Sequence, residues 1–119
     1  MRDIRITGKE RLIHILEAIK EIETYTRNTT QEYFLNDSIL INATLFQFAV
    51  IGEAVNHIEN EILDKYEYPW YQVRGFRNFI LHEYHAIEFR IIWESINKDL
   101  PDLKKMIETI LISEYGGIA

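Results

Sequence analysis

Residues 38–63 read SILINATLFQFAVIGEAVNHIENEIL, and this stretch decides the fold. Leu40, Ala43, Phe46, Phe48, Val50, Ile51, Ala54, Val55, Ile58 and Ile62 recur at three- and four-residue spacing and spread over more than one narrow face. That is the pattern of a helix at the centre of a bundle, since a helix apolar on several sides has several neighbours to bury against. Asn36-Asp37-Ser38 supplies the start, because short oxygen-bearing side chains accept from the free amides of a first turn. The reading predicts one helix from Ser38 to Leu63. Gly52 inside it costs up to about 1 kcal/mol relative to alanine, so close approach of another helix is its expected justification.

Working outward, the same periodicity holds on both sides and no segment alternates as a strand does. Upstream, Thr7-Gly8-Lys9-Glu10 fits a capping box opening a helix with the stripe Leu12, Ile15, Leu16, Ile19 and Ile22, which fades near Arg27-Asn28. Thr29-Thr30-Gln31-Glu32 offers a second capping box for a short turn carrying Tyr33, Phe34 and Leu35. Downstream, Asp64 to Tyr68 is a polar connection and Pro69 opens a third main helix, proline being tolerated where a helix has no use for its missing N–H. A fourth begins near Ile87 or Glu88 with Phe89, Ile92, Trp93 and Ile96 inward. Pro101 interrupts it or starts a fifth, which carries Leu103, Met106, Ile107, Ile110 and Leu111. Trp70 and Trp93 read as core residues, and residues from about 114 onward as a flexible tail after Gly116-Gly117. The expectation is an all-α helical bundle of four to five helices in a single domain spanning 1–119.

Composition narrows the function. A chain of 119 residues with 47% apolar and 27% charged residues is long enough to bury a core and is neither disordered nor membrane-like in composition. No run approaches the roughly 20 apolar residues of a membrane span, and the N-terminus lacks a signal-peptide core, so the expected location is cytoplasmic. The absence of cysteine removes disulfides, thiolate catalysis and cysteine zinc sites. Thirteen basic against 19 acidic residues give a net charge of −6, so any contact with nucleic acid has to be local rather than spread over the surface. No phosphate-binding glycine loop and no nucleophile elbow is present. His82 and His85 with His57, Glu53 and Glu83 have no recognised zinc spacing, so neither a metal nor a cofactor is expected.

The chemistry concentrates in residues 77–84, Arg-Asn-Phe-Ile-Leu-His-Glu-Tyr. Arginine neutralises a phosphate and neutral histidine moves a proton near pH 7, which together supply the minimum for cleaving RNA without a metal. On a straight helix Arg77 and Tyr84 share one face, Asn78 and His82 share another, and Arg77 and His82 stand roughly 140° apart. Either the helix distorts near His82 or two copies of the site meet across a two-fold axis, which predicts a homodimer. His14, His57 and His85 match no such pattern and read as packed or solvated.

Gly52-Glu53-Ala54, Pro69-Trp70, Arg77-Asn78, His82-Glu83-Tyr84, Trp93-Glu94 and Asp99-Leu100-Pro101, in this order, resemble the HepT-like branch of the HEPN superfamily. The resemblance covers nearly the whole chain. It implies an up-and-down bundle that dimerises, with both copies of the R-x4-H pair lining a shared cleft. It further implies a toxin that cleaves RNA without metal, encoded beside a small nucleotidyltransferase antitoxin. Arg77 and His82 match the catalytic pair, Asn78 the polar residue that follows the arginine, and Tyr84 the tyrosine that the antitoxin adenylylates. Cleavage through the 2′-hydroxyl leaves DNA inert. A second reading is a non-catalytic HEPN subunit that binds a nucleotidyltransferase and helps hold its substrate through Arg77 and Tyr84. The acidic residues Glu17, Glu21, Glu23, Glu59, Glu61 and Asp64 suit a basic protein partner of that kind.

Overall fold

The computed structural model describes residues 7–118, and these form an all-α helical bundle with no strand among them. Its helices are α1 (Gly8–Thr26), α2 (Gln31–Leu35), α3 (Ser38–Asn56), α4 (Asn60–Leu63), α5 (Trp70–Arg74), α6 (Phe76–His82) and α7 (Phe89–Tyr115), with a 3-10 turn at Tyr84–Ala86. At about 1.5 Å per residue the 27 residues of α7 run nearly the full 42 Å of the longest dimension.

The start signals act as read. Thr7 accepts from the Glu10 amide at 3.2 Å and Asp37 from the Leu40 amide at 3.1 Å. Thr30, one residue later than a box starting at Thr29 implies, caps α2 through the Tyr33 amide at 3.1 Å. Leu12, Ile15, Ile19 and Ile22 of α1 are fully buried, as are Ile51 and Val55 of α3 and Ile107 and Ile110 of α7. Trp93 packs on Phe34 with ring centroids 5.3 Å apart. Contrary to the sequence expectation, α3 has the length and apolarity of a membrane-spanning helix; 44% of it is buried, and it packs against α1, α2, α5 and α6.

Three departures from the sequence reading matter for the site. The helix expected to reach Leu63 ends at Asn56, and α4 follows after a turn at His57. That turn brings Leu63 rather than Ile62 fully into the core, while the Asn56 side-chain Nδ2 donates to the Arg74 carbonyl at 3.4 Å. Second, the helix expected after Pro69 is divided at Gly75 into α5 and α6 and stops at His82. Residues 81–86 are all exposed, so no packing sustains helix through Tyr84. Third, Pro101 neither interrupts α7 nor starts a new helix. Leu100 and Leu103 are buried on either side of it, whereas Asn97, whose carbonyl loses its donor, is exposed and open to water.

Candidate active site

α6 is seated on α3 through a gap in the side chains. A Cβ on Gly52 would lie 3.0 Å from each of the Val73 carbonyl oxygen, the Phe76 Cβ and the Arg77 amide nitrogen. Gly52 therefore lets the backbone that carries Arg77 rest directly on α3, as its position in the sequence suggested. Phe76 adds an edge-on contact to Phe48 at 5.4 Å, and Ile80 is buried one turn later. With Ile80 inward, a helix turning about 100° per residue places Arg77 and Leu81 on one flank and Phe79 on the other. Asn78 and His82 then lie about 160° from Ile80, on the outward ridge. All five of these side chains are exposed.

The Arg77 flank faces α3 and α1. Arg77 Nε stands 3.5 Å from Glu53 Oε1, and the other oxygen of that carboxylate hydrogen-bonds His57 Nε2 at 2.9 Å. The His57 bond, with attraction from Arg77 and Arg11, holds the Glu53 carboxyl below its ordinary value against the opposing effect of desolvation. Arg11 and His14 of α1, Phe46, Ala49, Val50, Glu53 and Ala54 of α3, and Arg77 and Leu81 of α6 line one open groove of about 360 Å³. Arg11 Nε is buried there with no acceptor among the described residues.

Asn78, His82 and Tyr84 lie outside that groove. Because α6 ends at His82, Tyr84 does not share the Arg77 face as a continuous helix would require. It heads the 3-10 turn, and its hydroxyl donates to Asn42 Oδ1 at 2.6 Å, tying this segment back to α3. One copy of the chain thus presents Arg77 at the start of α6, His82 at its end and Tyr84 beyond it in the 3-10 turn, aimed in different directions. Among the described residues no three histidine or carboxylate side chains converge as a metal site does.

Four neighbours of this region carried no site role in the sequence: Glu53 stood only in Gly52-Glu53-Ala54 and in the rejected zinc set, His14 read as packed or solvated, and Asn42 and Arg11 were not singled out. The available signal was positional. Arg11 and His14 are three apart and flank the inward pair Leu12 and Ile15, so both fall at the edge of the α1 stripe.

The Ribonuclease HepT-like family matches residues 15–110. The chain is 34% identical over 109 residues to a candidate RNase of Caldanaerobacter subterraneus subsp. tengcongensis, covering 91% of this chain and 97% of that protein. It is 33% identical to the probable ribonuclease HepT of Thermococcus cleftensis, with 86% and 94% covered. To a candidate RNase of Methanocaldococcus jannaschii it is 33% identical, with 84% of each chain covered. No solved structure matches it significantly. The chain belongs to the HepT-like ribonuclease family of the HEPN superfamily.

Proposed function

We propose that this chain is a metal-independent endoribonuclease that cuts RNA by attack of a ribose 2′-hydroxyl on the adjacent phosphate. The observation that carries the reading is the exposed Arg77-x4-His82 pair on one seven-residue helix of a HepT-like chain. The 2′-oxygen bonds to phosphorus and the bond to the 5′-oxygen breaks, leaving a 2′,3′-cyclic phosphate and a free 5′-hydroxyl. His82 takes the 2′-hydroxyl proton or protonates the departing 5′-oxygen. Arg77 stabilises the charge that builds on the phosphorane, once a phosphate displaces Glu53 as its counter-ion. Asn78, about 40° from His82 around α6, orients the imidazole or the phosphate. DNA lacks the internal nucleophile and is not cut.

The working enzyme is a homodimer. Within one copy the guanidinium and imidazole leave α6 about 140° apart. Exposed apolar side chains flank both, Phe46 and Leu81 beside Arg77 and Phe79 opposite, and a second copy buries them while bringing its own pair into a shared cleft.

The chain serves as the toxin of a cytoplasmic toxin–antitoxin pair whose antitoxin is a minimal nucleotidyltransferase. That partner transfers AMP from ATP to the Tyr84 hydroxyl and releases pyrophosphate. The new phosphodiester removes the proton now donated to Asn42 and sets an anion and a base beside the site, where they compete with RNA for Arg77.

The test incubates wild type, Arg77→Ala and His82→Ala with mixed RNA in EDTA and maps product ends by mass spectrometry. Cyclic phosphate ends from wild type alone are expected. Linear 3′-hydroxyl products formed only with added magnesium would sink the mechanism. Growth arrest on expression, relieved by His82→Ala, is expected of a toxin and not of a binding subunit.

A further inference from the structure

We infer that Arg11 is a second phosphate-binding arginine of the cleft, holding an RNA phosphate next to the one that is cut; this rests on the ribonuclease reading above. The groove has a cation on each wall. Arg77 stands on the α6 wall and Arg11 on the α1 wall, with Phe46, Ala49, Val50 and Ala54 of α3 forming an apolar floor between them. A chain of alternating phosphates and bases laid along such a groove meets charge at its edges and apolar surface beneath.

The charges in the groove do not balance. Among the described residues Glu53 is its one carboxylate, and that carboxylate is already shared between Arg77 at 3.5 Å and His57 at 2.9 Å. Two guanidinium groups therefore face one anion inside a chain whose net charge is −6. Arg11 Nε is buried with no acceptor among the described residues. A buried arginine N–H without an acceptor is unfavourable, and a phosphate in the groove meets the guanidinium of Arg11, which lines it, with a charge-assisted bond. The surrounding fold fixes the position, because Leu12 and Ile15 beside Arg11 are fully buried and set the rotation of α1. Reaction at Arg77 and His82 then follows capture of the strand at two points, which also fixes its direction across α6.

The experiment uses His82→Ala protein, which holds RNA without cutting it, and a fluorescent single-stranded oligoribonucleotide. Adding Arg11→Ala is expected to weaken binding about tenfold at moderate salt. It should also lower the slope of log affinity against log salt by about 0.7, the value for one phosphate contact on a single strand. Arg11→Lys should restore the slope and part of the affinity. In the cleaving enzyme Arg11→Ala should act on KM more than on kcat. Unchanged affinity overturns the inference, as does weaker binding with an unchanged salt slope, which marks a purely structural arginine. If His82→Ala protein binds no RNA at all, the ribonuclease reading falls first and this inference with it.

Discussion

The core formed by α1, α3 and α7 and the segment 70–86 are built by opposite rules. In the core, side chains such as Ile19, Ile51, Val55 and Ile107 have no exposed surface at all. Between residues 70 and 86 only Trp70, Val73 and Ile80 are buried, and the helices there are five and seven residues long. The second region holds every residue of the R-x4-H-x-Y pattern. It keeps its place through the Gly52 gap, the Phe48–Phe76 pair, Ile80, the Trp70 indole N–H donating to the Leu63 and Tyr66 carbonyls at 3.1 Å each, and the polar ties Tyr84–Asn42, Asn56–Arg74 and Arg77–Glu53. Stability and the proposed chemistry are thus divided between a thick core and a layer laid on it. Such a layer opens locally at a lower cost than the whole molecule unfolds.

Substitutions can break that division. The largest effect on stability is expected from Ile107→Ala, which leaves a cavity among fully buried neighbours and should cost about 2–5 kcal/mol in denaturant unfolding. RNA cleavage per folded molecule should be unchanged, and a proportionate fall in cleavage would mean that core and layer are one unit.

Gly52→Ala should cost less, about 1–3 kcal/mol, because the methyl meets backbone that can shift by a few tenths of an ångström. Its effect on function should be greater than its effect on folding, since the backbone that shifts is that of Phe76 and Arg77. Cleavage compared at equal folded concentration should fall at least tenfold. An equal rate would show that the seat of α6 is not what sets the site.

The smallest effect concerns the polar clip that closes the far end of the core. Glu114 of α7 accepts from the Tyr66 hydroxyl at 2.8 Å and from Lys65 Nζ at 3.1 Å. The Tyr66 bond, then Lys65, hold its carboxyl below the ordinary 4.5. A carboxyl lowered in the folded state adds stability that is fully present above 4.5 and is lost as pH falls through the folded value. Wild type should therefore exceed Glu114→Gln in stability at neutral pH by a margin that shrinks below pH 4.5 and vanishes in stronger acid. Cleavage should not follow it. A constant margin in equilibrium unfolding at several pH values would show that the clip contributes through neutral hydrogen bonding alone.

The sequence by itself determined the helical class, the helix starts at Thr7 and Asp37, the core stripe of α1, the need for close packing at Gly52, and the candidate residues Arg77, Asn78, His82 and Tyr84. These are local matters: periodicity, a side-chain oxygen near free amides, a missing Cβ, a short pattern of reactive groups. What only the tertiary structure decided was where burial overrules periodicity. Helix stops at Asn56 and the turn that follows carries Leu63 into the core, and it stops at His82 where residues 81–86 are all exposed. It runs through Pro101 because the buried stripe on both sides outweighs one lost hydrogen bond. The meeting of Arg77 with Glu53, of Tyr84 with Asn42, and of Arg11 with the same groove joins residues 24 to 66 positions apart along the chain. No local pattern encodes such distances, because they follow from how α1, α3 and α6 pack on one another.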